Sequence, residues 1–147
     1  MSALPPAYRL RTVLLASAIA ITAADAAWAG VCLATGLAYA DVSFWISVVA
    51  YLAAGWAGTR AGGLSLGVLA GAVTSMVDNS AGTAVAWWIG PGRLSGGWPG
   101  FAEMVAVFAV SVALGALLGM AGGALALFAS RLSGDGTAAP PAGRVAS

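Results

Sequence analysis

Four long runs of apolar residues, separated by short links, dominate the chain. They cover about residues 12–37, 42–58, 63–89 and 101–130. The hydrocarbon core of a bilayer is about 30 Å thick, so a helix needs roughly 20 apolar residues to cross it. Helices pair their backbone groups internally, whereas an open sheet leaves edge groups unpaired in lipid. The pattern therefore predicts an all-α fold, in which residues 1–131 form a polytopic bundle of four transmembrane helices.

The links between the apolar runs carry turn-forming residues. The link at residues 58–62 contains glycine and arginine, and the link at 90–100 is too rich in glycine and proline to be helical throughout. The last segment, residues 132–147, is small, polar and contains proline. Such a composition cannot bury enough apolar surface to order itself, so we expect a disordered cytoplasmic tail.

Composition places most of the chain in lipid. Hydrophobic residues make up 61% of the sequence and charged residues only 7%, whereas a soluble domain carries about 25% charged residues. A net charge of +1 without any lysine argues against a nucleic-acid partner, which needs clustered basic residues. With no histidine and one cysteine, Cys32, we expect no metal site, no cofactor and no nucleophilic enzyme site of the Ser–His or Cys–His type.

Arginine placement predicts the orientation of the spans. With four crossings, most arginines fall on one side of the membrane: Arg9, Arg11, Arg60, Arg131 and Arg144. Only Arg93 falls on the other side. The positive-inside rule then puts both termini in the cytoplasm. The lysine-free, alanine- and glycine-rich composition is typical of a GC-rich genome, which indicates the inner (plasma) membrane of a bacterium.

A second interpretation of the first run is a cleaved secretory signal peptide over residues 1–29. Arg9 and Arg11 precede an apolar stretch, and the Ala-Trp-Ala sequence at 27–29 resembles a cleavage site. The apolar stretch continues to Leu37, whereas a signal peptide is followed by a polar mature region. We therefore favour a first helix that spans the membrane.

Glycines at four-residue spacing predict how the helices pack. The third run carries Gly63, Gly67 and Gly71, and the fourth carries Gly115, Gly119 and Gly123. Lipid offers no hydrophobic drive between helices, so close backbone approach at small residues supplies much of the attraction. We expect the third and fourth helices to pack groove to groove as a glycine zipper. The alternative is that one groove forms an oligomer interface.

Asp25 and Asp78 are acidic residues inside predicted spans. A charged carboxylate at the centre of a transmembrane helix costs about 2.5–3.5 kcal/mol on insertion scales, so such residues face the bundle interior or water and are functional candidates. The first and third spans run in the same direction. At 1.5 Å per residue, both acids lie roughly 20 Å from the inner end, at similar depth.

Polar residues accompany both acids at helical spacing. Thr22 lies three residues before Asp25, and Ser75 lies three residues before Asp78, so each pair shares a helix face. Glu103, about one turn into the fourth span, can line an access route from outside, or it can serve as a cap or interface group, since acids suit a helix N-terminus. The candidate proton or cation site therefore comprises Asp25, Asp78, Thr22, Ser75, Asn79 and Glu103.

Two carboxyl groups that face each other in a medium of low dielectric constant cannot both ionise without a countercharge, so they would share a proton. That is the chemistry of a proton- or cation-binding site in a membrane. Two structural alternatives remain. A protonated aspartate can serve only as a hydrogen-bonding link between helices, or a partner subunit can supply the positive charge.

The sequence favours a non-enzymatic membrane subunit or accessory protein, held in the lipid bilayer and associated with a membrane-protein partner or with copies of itself. The alternative is a small proton- or cation-linked transporter or channel that uses Asp25 and Asp78. Two carboxylates can also act as an aspartyl pair. Nothing else in the sequence supports a substrate site for such an enzyme, so we expect no enzymatic activity.

Overall fold

The computed structural model describes residues 6–90 and 100–133, and the residues it describes contain helices and turns without strands. The helices are α1 (Pro6–Thr35), α2 (Tyr39–Gly62), α3 (Leu64–Val77), α4 (Thr83–Ile89) and α5 (Phe101–Leu132), with a π-helical segment, Asp78–Gly82, between α3 and α4. Helices α1, α2 and α5 are each long and apolar enough to cross a membrane. The predicted all-helical, membrane-compatible fold is confirmed at this level.

The third predicted span is a helical rod with an irregular turn inside it. Its three parts, α3, the π-helical segment and α4, have 14, 5 and 7 residues. Asp78, Gly82 and Thr83, which join the parts, all have right-handed helical dihedral angles. The rod therefore continues through the junctions, although neither α3 nor α4 alone has the length of a span.

Positive-φ glycines make the two short turns. Gly36, with φ +74°, ends α1, and Gly63, with φ +100°, separates α2 from α3. Their N–H groups donate to the carbonyls of Cys32 and Thr59, both at 2.8 Å, which is how a helix end satisfies its last carbonyls. Turns this short make α1 and α2, and likewise α2 and α3, antiparallel neighbours.

The predicted boundaries differ from the observed helices by a few residues. Helix α1 starts at Pro6 and α2 at Tyr39, because the polar ends of a helix continue beyond its apolar stretch. The predicted tail, 132–147, lies outside the described residues except for its first two, and Leu132 still belongs to α5. The middle of the 90–100 link also lies outside them.

Helices α2 and α3 form the middle of the bundle. Helix α1 packs against α2, α3, the π-helical segment and α4, whereas α5 packs against α2 and α3. The core is made mainly of small side chains: Ile21, Ala29, Cys32, Tyr51, Ala54, Ala70, Ala86 and Ala126. Such a core lets the backbones approach closely.

Glycines mark the contact between α3 and α5. An added Cβ at Gly71 would meet backbone atoms of Gly115 and Gly119, the Cα of Gly119 at 2.6 Å. An added Cβ at Gly119 would lie 2.7 Å from the carbonyl oxygen of Gly67. Gly123 instead faces Thr59 and Leu64 of the neighbouring elements. Gly63 lies in the α2–α3 turn, with open space around it.

Large apolar side chains cover the outer surface. Trp45, Trp88, Phe101 and Phe128 are among many that are more than half exposed. Such a surface is disfavoured in water at this extent, and lipid is the solvent that suits it.

Replacing Gly71 with alanine should destabilise the bundle, because the new methyl group meets backbone that has no side-chain freedom with which to yield. We expect a loss of about 1–3 kcal/mol, the usual cost of overpacking, measured as a lower unfolding temperature in mild detergent. Gly30→Ala is the matched control, since nothing lies within 4 Å of a Cβ there. It should leave the temperature unchanged or raise it. Equal effects of both variants would contradict the packing argument.

Candidate functional site: a buried pair of carboxyl groups

A polar cavity of about 370 Å³ lies between α1, α2, the π-helical segment and α5. It occupies the end of the bundle where α1 ends and where α2 and α5 begin. Its walls are formed by Asp25, Tyr39, Ala40, Ser43, Phe44, Ser47, Val48, Tyr51, Asp78, Asn79, Thr83, Ser111 and Leu114. Helices α1, α2, α4 and α5 and the π-helical segment therefore all contribute residues to its walls.

Asp25 projects from α1 into the bundle and is 2% exposed. The hydroxyl of Tyr39 donates to its Oδ1 at 2.9 Å. Tyr39 is held in turn by Trp28, whose indole Nε1 donates to the Tyr39 carbonyl at 3.1 Å. The Oδ2 of Asp25 receives no hydrogen bond from a backbone or side-chain donor, so it needs another partner.

Asp78 is the first residue of the π-helical segment and is also buried. Its Oδ2 accepts hydrogen bonds from the hydroxyls of Ser47, at 2.7 Å, and Tyr51. Both donors belong to α2. Two hydroxyl donors therefore satisfy this oxygen.

The two carboxyl groups meet beside Gly82. An added Cβ at Gly82 would collide with Oδ2 of Asp25 and lie 3.2 Å from Oδ1 of Asp78, so both carboxyl groups border the same small space. The absence of a side chain at Gly82 is what gives Asp25 room. The unpartnered oxygen of Asp25 thus lies where a proton would link it to Asp78.

No arginine lines the cavity among the residues that the structure describes. Two buried carboxylates this close together would repel each other strongly, and a proton shared between them would relieve the repulsion. The hydrogen bonds distinguish the two acids. Oδ2 of Asp78 accepts from two hydroxyl groups, whereas Oδ2 of Asp25 has no donor and lies beside Asp78. Oδ2 of Asp25 is therefore the position for a shared proton.

The π-helical segment sets the position of Asp78. A π turn holds one residue more than an α turn and frequently occurs at functional sites. Thr83 closes the turn: its Oγ1 donates to the Asp78 carbonyl, five residues back, at 3.2 Å. The extra residue changes the direction in which later side chains point by about 100° relative to a regular helix. Gly82, four residues after Asp78, faces Asp25 on the same side of the rod.

The structure brings some of the predicted site residues together. Ser75 is fully buried next to the cavity and donates to the Ser111 carbonyl at 2.7 Å. Asn79 lines the cavity, and its Nδ2 donates to the Ser75 carbonyl at 2.9 Å. These two residues connect the π-helical segment to α3 and α5.

Two other predicted residues lie elsewhere. Thr22 donates to the Ala18 carbonyl at 2.9 Å. It borders an apolar surface depression between α1 and the third rod, which is the rod formed by α3, the π-helical segment and α4. Glu103 is exposed in the first turn of α5 and does not line the cavity. A helical residue three positions from Asp25 shares its face only roughly, and Thr22 lies on the side toward Val77 and Val85.

Sequence reasoning missed the contribution of α2. Four polar residues of this helix recur at four-residue spacing and form one stripe: Tyr39, Ser43, Ser47 and Tyr51. All four line the cavity, and three of them donate to the carboxyl groups. The spacing of two serines and two tyrosines along one face was the available signal.

No family model, curated protein or solved structure matches this chain.

Infrared spectroscopy can test the assignment of the shared proton. The wild-type protein in mild detergent at neutral pH should show the C=O stretching band of a protonated carboxyl group. Asp25→Asn should remove the band, because it removes both the oxygen that holds the shared proton and the repulsion that the proton relieves. Asp78→Asn should keep a shifted band from Asp25, and Glu103→Gln should change nothing. A band that survives in Asp25→Asn would reverse the assignment.

Proposed function

We propose that the chain crosses the membrane four times, with the rod formed by α3, the π-helical segment and α4 as the third crossing. Its 26 or so residues, at 1.5 Å each, exceed the thickness of the hydrocarbon core. Arg60, in the last turn of α2, and Arg131, in the last turn of α5, then lie at the same end as the N-terminus. The positive-inside rule makes this end cytoplasmic, in the inner membrane of a bacterium.

We further propose that the protein exchanges a proton for a monovalent cation at Asp25 and Asp78, as a small membrane transporter. The observation that carries the proposal is the position of two buried carboxyl groups side by side at Gly82, in a polar cavity whose described lining contains no positive charge. Ionisable residues inside membranes commonly mark proton and ion pathways.

Charge balance supports exchange rather than simple binding. With one proton the pair carries one negative charge. If one monovalent cation enters and the proton leaves to water, the buried charge is the same as before. The site can therefore alternate between two occupants at little electrostatic cost, whereas holding neither occupant would leave two repelling carboxylates.

The pair lies nearer to one end of the bundle. The α2 residues that line the cavity belong to the first half of that helix, and the proposed orientation makes this the outer side. Toward the other end, the backbones of Gly55, Gly67, Gly71 and Gly119 are in direct contact. Transport requires that this glycine layer open, and helices joined by backbone contacts without interlocking side chains can slide past one another more easily than helices with interdigitated side chains.

The accessory-subunit hypothesis stays a second proposal, supported by the surface of α5. In its first ten residues every residue except Phe108 is exposed, so this first third of α5 makes few contacts with the rest of the bundle. A partner helix could cover it. Native mass spectrometry of the protein purified from its own membranes decides the point, since a mass containing a second kind of chain would favour this proposal.

Proton exchange can be measured in liposomes that contain the purified protein and a trapped pH-sensitive dye. Gradients of sodium, potassium or tetramethylammonium chloride are applied in turn, the last because a quaternary ion cannot cross lipid as a free base. We expect at least one of these cations to drive protons in the opposite direction. Asp25→Asn and Asp78→Asn should abolish this coupled flux, because neither retains both an exchangeable proton and a charge.

Glu103→Gln makes the same change from carboxyl to amide outside the cavity and should leave the flux intact. All variants are first checked for a wild-type elution profile in mild detergent. Folded Asn variants with wild-type flux, or a wild-type protein that moves no protons with any of the three cations, would exclude the transporter proposal.

A further inference from the structure

The cavity has two chemically different walls, and both include residues of α2. The polar stripe of Tyr39, Ser43, Ser47 and Tyr51 lies next to an apolar stripe of Ala40, Phe44 and Val48. Leu114 of α5 extends the apolar side. A bare inorganic ion would make no use of such a surface, because an ion is held by oxygen ligands.

The volume of the cavity also points to a molecule larger than an ion. A cavity that holds one water molecule needs a volume of only about 10–15 Å³, whereas pockets for small organic ligands start at about 300 Å³. The observed 370 Å³ falls in the second range. Within the described residues, no three His, Cys, Asp or Glu side chains come together as a metal-binding group.

Two buried carboxyl groups form part of the wall of this cavity. Asp25 is 2% exposed, lines the cavity and has an oxygen without a hydrogen-bond donor. Asp78 lies beside it and lines the same cavity. A cationic head group that reaches the pair replaces the proton and supplies the missing countercharge.

We propose that the exchanged cation is a small organic ammonium ion that carries an apolar group. Its charged head lies at Asp25 and Asp78, and its apolar part packs against Phe44, Val48 and Leu114. This assignment rests on the proposed exchange of a proton for a cation, and it adds the chemical class of the substrate.

Phe44 is the residue that selects for this class. It lines the cavity, and the residue is 53% exposed. The ring of Trp45 packs edge-on against it, with centroids 5.4 Å apart and an interplanar angle of 75°. An aromatic face attracts organic cations and is used widely to bind quaternary ammonium groups.

Calorimetric titration of the purified protein in mild detergent tests the substrate class. The probes are benzyltrimethylammonium, tetramethylammonium, sodium and potassium, all as chlorides, and proton release is followed with a pH dye in weak buffer. We expect benzyltrimethylammonium to bind at least tenfold more tightly than each of the other three and to release one proton per ion bound. Asp78→Asn should lose this binding, and the same variant corrects for uptake by the detergent.

Phe44→Ala should weaken benzyltrimethylammonium binding by about tenfold, which corresponds to about 1.4 kcal/mol of combined apolar and cation–aromatic contact. Phe128→Ala is the matched control, because Phe128 is 60% exposed on α5 and does not line the cavity. It should bind as the wild type does. Equal weakening in the two variants would overturn the role of Phe44.

The outcomes separate this inference from the proposed function. If sodium or potassium binds more tightly than both ammonium ions and releases a proton, the substrate class is wrong and the exchange proposal stands. If none of the four cations binds or releases a proton, both proposals fail. If tetramethylammonium binds as tightly as benzyltrimethylammonium, the apolar wall plays no part and the inference is overturned.

Discussion

The contact between Asp25 and Asp78 is the constraint on which the rest of the structure depends. Burying one carboxylate without a countercharge is costly, and burying two in contact is prohibitive unless a proton or another cation lies between them. The surrounding groups reflect that demand. Tyr39, Ser47 and Tyr51 direct hydroxyl donors at the pair, and Gly82 leaves the space in which the two groups meet. Because the three donors are on α2 and the acids are on α1 and the third rod, the pair also ties these elements together.

The two ends of the bundle are built on different principles. Toward the cytoplasmic end of the proposed orientation, α2, α3 and α5 approach through glycines, and close backbone contact replaces side-chain interdigitation. At the other end, the cavity lies between the helices and is lined by both polar and apolar side chains. One end is therefore a compact contact between backbones, and the other contains the two buried carboxyl groups.

The rod formed by α3, the π-helical segment and α4 takes part in both kinds of contact. Gly71 and Ser75 face α5 as part of a regular helix. After the extra residue, Gly82 faces Asp25 instead. A regular α-helix would keep one face directed at one neighbour along its length. The irregular turn lets the same rod pack on α5 at one end and on α1 at the other, with Asp78 at the point of change.

The apolar runs by themselves determined that the chain is helical and suited to a membrane, because only helices satisfy their backbone in lipid over such lengths. They also placed Asp25 and Asp78 at similar depth, since depth depends only on rise per residue. Whether the two acids meet depends on which helices are neighbours and on the π turn at Asp78, and a local pattern contains neither. For the same reason the sequence did not identify Tyr39 and Tyr51 as donors. It grouped Thr22 with Asp25, whereas in the structure Thr22 lies on another side of α1 and does not line the cavity. Contacts between helices arise from the packing of all of them at once, and only the tertiary structure decided those.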